Sequence, residues 1–205
     1  MSSLMKVTSK SYRIQMIANQ IIETLWNDGQ PKRAALSGLR NAKTIGDHQA
    51  VPALPILLGY MPKDELSQTG KPTRGEIAVF TAVKAYALYQ QGKSGSILNK
   101  DSGTPVISAL SKLKANDPTL QKPLDRRMEN LLSTTQLGSI QNQLLRIVLI
   151  LRNRGDDQPL AFSQLARDLY DFQTHVGAYN GAQHVILRWS QQYYAIHQSR
   201  ENTKE

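Results

Sequence analysis

The 205-residue chain contains no cysteine. That excludes a disulfide scaffold, a zinc–thiolate or iron–sulfur site and a cysteine nucleophile, and it gives no sign of an oxidising compartment. Long apolar runs are missing too. The longest aliphatic stretch, Ile147 to Leu151, falls far short of the roughly 20 residues that span a bilayer. Lys6, Lys10 and Arg13 occupy the region where an export signal needs its apolar segment, so a cytoplasmic protein with no membrane partner is expected. Acids are scarce. Sixteen Asp and Glu face 25 Lys and Arg, a formal charge of +9, which points to a polyanionic partner. Aromatic residues make up only 6% of the chain, leaving base stacking a secondary role in any contact with such a partner.

What is present is helical periodicity. Apolar residues make up 40% of the chain, enough for a packed core, and the alternation that marks strands is missing. The sequence predicts an all-α protein of two small helical bundles packed together, with about eight to nine helices. From about Ser11, Ile14, Ile17, Ile21 and Leu25 recur at helical spacing, and Asn27-Asp28-Gly29 ends that helix. A short helix follows Pro31 and carries Ala35, Leu39 and Ala42. Residues 44–72, with Pro52, Pro55, Pro62 and Pro72, read as packed helical turns and loop. Thr73 and Glu76 make a capping box that opens a helix to about Gln91, where Gly92 stops it.

A Gly, Ser and Lys rich stretch, 93–104, is predicted as a mobile loop between an N-terminal half, 1–92, and a C-terminal half, 105–198; residues 199–205 should be a frayed tail. Further helices are expected at about 105–115, 123–133, 138–153, 160–172 and 182–198. The one from Ser139 is apolar on nearly every side and is expected to be central and buried.

Catalytic constellations are poorly represented. Ala87 to Ser94 matches a relaxed phosphate-binding loop, but a helix precedes it where a strand is required, so a helix stop at Gly92 with a solvated Lys93 is the better reading. His48, His175, His184 and His197 lack metal-binding spacing, and no cofactor is expected. Asp156 with Asp157, and Asp168 with Asp171, are the only local carboxylate pairs; turn capping and pairing with Arg167 account for them. No nucleophile elbow is present.

Positive charge is organised. Lys32, Arg33, Arg40 and Lys43 lie in a stretch without an acid, and helical geometry sets Arg33 and Arg40 opposite the apolar face. Lys112 and Lys114 follow in a second acid-free stretch. Beyond them come Arg126, pointing outward from its helix, and Arg127 at the boundary of the inner face. Arg146 interrupts the most apolar helix, where an unpaired buried guanidinium would be costly; it must reach an acid, an exposed edge or a phosphate. Together these form a candidate groove for a phosphate backbone, with Trp26, Trp189 and the C-terminal tyrosines assigned to the core. A competing reading is a dimeric regulator that reads a duplex site with a helix in the major groove. A nucleic-acid-processing enzyme would need a site at Asp156 or Asp168.

The order of segments resembles the CasB family, the small subunit of the type I-E CRISPR surveillance complex Cascade. The matching pieces are Ala34 to Arg40 (AALSGLR), Arg127 to Leu132 (RMENLL), Leu144 to Arg152 (LLRIVLILR) followed by Gly155, Leu165 to Leu169 (LARDL), and Leu187-Arg188-Trp189 with Tyr193-Tyr194. The resemblance implies a helical, non-catalytic subunit, present as a pair beside other Cascade subunits, that contacts guide RNA and target DNA and stabilises the R-loop and displaced strand. It places Arg40, Arg127 and Arg146 on family arginines. The chain departs from the family after its tryptophan, where Ser190 and Gln191 replace a glycine and a basic residue; Arg188 is the nearest substitute.

Overall fold

A computed structural model describes residues 3–26, 29–93, 103–155 and 157–195, with side chains from residue 10 onward. Nine α-helices make up these residues: α1 (Ser3–Trp26), α2 (Arg33–Asn41), α3 (Leu54–Gly59), α4 (Arg74–Gln90), α5 (Val106–Asn116), α6 (Gln121–Leu132), α7 (Leu137–Arg154), α8 (Phe162–Phe172) and α9 (Gly181–Tyr194). The fold is all-α, as read from the periodicity. Most of the predicted interhelical loop, the tail from residue 196, and Asp156 lie outside the described residues.

Helix α4 is the axis of the molecule. Its start is fixed by the capping box, in which the Glu76 N–H donates to Thr73 Oγ1 at 3.1 Å and the Thr73 N–H donates to Glu76 Oε2 at 2.7 Å. Beyond that cap almost every residue is buried, from Ala78 through Tyr89, because α1, α2, α7 and α8 surround it. Such a helix has no polar face to lose, so it needs neighbours all round. Tyr86 and Tyr89 meet Phe162 of α8 at ring-centroid distances of 5.9 and 5.6 Å, a geometry that favours aromatic pairs. Gly92, at φ +85°, takes the left-handed conformation that stops the chain from continuing as helix.

Helix α7, expected at the centre, is instead one-sided. Ile140, Leu144, Ile147, Val148 and Leu151 are buried, whereas Arg146 is exposed and Leu145, Leu149 and Ile150 are half-covered. The abundance of aliphatic residues masked the direction in which α7 packs, which is towards α4, with α5 and α6 beside it. Helix α1 begins eight residues before the sequence pattern suggested, since the small polar Ser11, buried and bonded to Asp171, interrupts the apolar stripe there. A two-residue hairpin, His175–Val176 against Tyr179–Asn180, was not expected; it turns at Gly177, φ +58°.

The α1, α8 and α9 contact is locked by charge. Arg188 pairs with the buried Asp168, whose second oxygen accepts from Trp189 Nε1 at 2.8 Å, and approaches Asp171 at 3.7 Å. Burial pushes both aspartates upward against the opposing pull of Arg188. Asp168 therefore serves α9 rather than pairing with Arg167 or facing water, and Arg188 is not available as a surface cation. Removing one member of a buried pair strands the other. Asp168→Ala is expected to cost about 3 kcal/mol or more in urea denaturation, and a loss below about 1 kcal/mol would contradict this role.

Candidate nucleic-acid interface

Helix α2 seats its small face against the 3-10 turn His48–Ala53. A Cβ on Gly38 would stand 2.5 Å from the Gln49 carbonyl, so glycine is needed for this close approach. With Ala35, Leu36 and Leu39 inward, Arg33 is exposed and Arg40 is half-buried at the last turn, where the helix dipole favours a cation.

Lys84 of α4 reaches across to the same end, donating to the Arg40 carbonyl at 3.2 Å and to the Ala42 carbonyl. Burial lowers the Lys84 pKa, with Asp47 acting in the opposite direction. From the end of α7, Arg152 donates to Gln91 Oε1 at 2.9 Å and to the Leu88 carbonyl at 3.4 Å. Its charge adds to desolvation in lowering the Arg40 pKa. The ends of α2 and α7 and the middle of α4 thus gather Arg40, Arg152 and Lys84, and among the described residues neither arginine has an ion-pair partner. Lys84 and Arg152 were missed in the sequence, Lys84 because it sits inside the apolar α4 and Arg152 because it reads as an ordinary C-terminal cation.

The second gathering is a cleft. An open cavity of about 520 Å³ lies between α6 and α7, with Arg127 on one wall and Arg146 on the other. Amides and hydroxyls make up most of the rest of the lining, among them Asn130, Asn142 and Ser139, and among the described residues no acid lines it. Gln143 pins the walls, donating to the Asn130 carbonyl at 3.1 Å and to Ser139 Oγ at 3.2 Å. Neither arginine forms an ion pair among the described residues, so Arg146 takes the exposed-edge option. Two unpaired guanidiniums across a polar cleft suit an anion with several acceptor oxygens.

The remaining sequence candidates are distributed more widely. Arg126 is exposed on α6 outside this cleft. Lys43 is exposed beside α2, and Asp47, just past the acid-free stretch, folds back to accept its backbone N–H at 3.0 Å. Lys112 lines a different cavity near the end of α7.

Several other cations are used internally, Arg13 with Asp64 and Glu65 among them. Lys114 is buried, 3.0 Å from Asp125 and 4.1 Å from the centre of the Tyr193 ring. Lys93, read as solvated, is nearly covered, paired with Asp157 and lying over Tyr89. Arg188 holds Asp168. Tyr194, assigned to the core, is 46% exposed, and Trp26 is half-buried. Among the described residues no cluster of three His, Asp or Glu could hold a metal ion, and no helix is long and apolar enough to cross a membrane.

A family model described as "CRISPR-associated protein Cse2" matches residues 32–194, a span that contains α2 and both walls of the cleft. The chain belongs to the Cse2 family. The resemblance to CasB read from the sequence is thereby borne out, and the Cse2 fold here is similar to that of CasB from Thermobifida fusca. That crystal structure matches with a TM-score of 0.63 and 22% identity, over 89% of this chain and 98% of the other. No curated protein sequence matches. Within this Cse2 chain, the exposed Arg146 makes no hydrogen bond or ion pair among the described residues. Arg146→Ala is expected to change unfolding free energy by no more than about 0.5 kcal/mol, so a calorimetric melt showing a large loss would place its guanidinium in a structural contact.

Proposed function

We propose that this Cse2 chain is a non-catalytic subunit of type I-E Cascade that grips guide RNA and target DNA by their backbones, stabilising the R-loop and the displaced strand. It does so in the cytoplasm, beside other Cascade subunits and a second copy of itself. The observation that carries this reading is the α6–α7 cleft, which Arg127 and Arg146 line with no acid among its described residues. The group at Arg40, Lys84 and Arg152 adds positive potential at the ends of α2 and α7.

Such a surface acts on strand exchange through charge. Replacing a DNA duplex by an RNA–DNA heteroduplex is nearly balanced in free energy, so a few backbone contacts tip it. Each phosphate neutralised releases counterions, which makes the grip independent of sequence and sensitive to salt. The amides lining the cleft add hydrogen bonds to sugar and phosphate without selecting bases.

Arg127→Ala and Arg146→Ala are each expected to weaken binding to unrelated sequences by the same factor, and to reduce the slope of log affinity against log salt by about 0.7 to 0.9. Fluorescence anisotropy across a salt series measures both quantities. An unchanged slope in the double variant, or a loss confined to one sequence, would contradict backbone gripping.

A further inference from the structure

The cavity that holds Lys112, like the α6–α7 cleft, pairs two cations with neutral polar groups. It has a volume of about 530 Å³ and opens between α5, the turn Pro118–Leu120 and the end of α7. Its cations are Lys112 and Arg154, both exposed, and its neutral polar groups include Asn116 and Gln158. Among the described lining residues the one acid is Asp117. Its Oδ1 already accepts from the N–H of Thr119 at 3.0 Å and from the Thr119 hydroxyl at 2.5 Å, so it is committed to capping its own turn. Neither Lys112 nor Arg154 forms an ion pair among the described residues.

The two cavities share one helix. Arg146 and Arg154 are eight residues apart on α7, which separates them by about 12 Å along the axis and turns them by only about 80° about it. Both therefore lie within about a quarter turn of each other on the outward sector of α7. A single helix thus presents two polar, cationic hollows in succession, each completed by a cation from a neighbouring helix, Arg127 of α6 or Lys112 of α5.

We infer that the Lys112–Arg154 hollow is a second phosphate station, and that one single strand of nucleic acid runs along α7 with a backbone phosphate in each hollow. This rests on the backbone-gripping reading and assigns it a path. A single strand suits the arrangement because its backbone bends into successive interhelical hollows, whereas a duplex holds its phosphates on a stiff convex surface. The amides in both hollows also match the sugar and base edges that only an unpaired strand leaves open.

The test uses the full chain, a fluorescent oligothymidylate and its duplex with oligoadenylate, titrated over a salt series. The variants are Lys112→Gln with Arg154→Gln, Arg127→Gln with Arg146→Gln, and all four together; circular dichroism melts confirm the fold. Each double variant is expected to lower the single-strand salt slope by about 0.7 per phosphate released, with the quadruple variant losing both contributions. The duplex slope should respond less to the Lys112 and Arg154 pair.

If that pair leaves the single-strand slope intact while the Arg127 and Arg146 pair lowers it, the second station is wrong and the gripping function stands. An outcome in which neither pair matters, or in which the wild-type chain binds no strand at low salt, overturns both. A larger effect on duplex than on single strand overturns the path, as does an Arg154 and Lys112 defect seen only in binding a protein subunit.

Discussion

The constraint on which the molecule depends is the near-complete enclosure of α4. A helix buried on nearly all sides contributes apolar area in nearly every direction, and each neighbour is placed by where it must sit to cover its share. Four helices do this, and their positions are pinned by a small number of polar contacts across the same axis. Lys84 ties the end of α2, Gln141 of α7 donates to Thr81 Oγ1 at 2.6 Å, and the Tyr89 hydroxyl donates to the Gln158 carbonyl at 3.0 Å. Buried polar groups of this kind add little net stability but penalise any arrangement that leaves them unpaired, which fixes register.

Function follows from that register. Helix α7 covers α4 with one face and leaves the other outward, so Arg146, Arg152 and Arg154 are spread around an exposed sector rather than lost in a core. Helices α6, α2 and α5 then bring their own cations to α7 from different sides. Cations the fold does need, such as Arg188, Lys114, Lys93 and Arg13, are each matched to a carboxylate. The chain thereby separates two populations of positive charge. One is neutralised internally and stabilises helix contacts, while the other has no carboxylate partner among the described residues, which suits it to meeting phosphate.

Most of the helices were legible because periodicity at three and four residues records a buried face, and the Thr73 and Glu76 box and Gly92 are local signals that require no tertiary knowledge. Burial direction was not legible where a helix is apolar all round. Helix α7 looked central because its sequence is rich in aliphatic residues, yet α4, with more alanine and tyrosine, holds that position. The site was partly legible. Neighbouring unmatched cations pointed to Arg127, and a lone guanidinium in an apolar helix pointed to Arg146, but which acid returns to which base is a long-range fact. Lys114 meets Asp125 across a turn, Arg188 meets Asp168 across two elements, and Arg152 reaches α4 from the far end of α7. None of those pairings leaves a trace in local spacing.

The most direct test of the central claim, that the outward side of α7 is where the strand lies, is photo-cross-linking. The chain would be assembled with guide RNA and the other Cascade subunits, using strands that carry thiouridine or thiothymidine, and adducts would be mapped by peptide mass spectrometry. The account predicts adducts on the peptides that span Arg127 to Ile147 and reach Arg154. Adducts confined to the outward faces of α1 and α9, with none on α6 or α7, would contradict it.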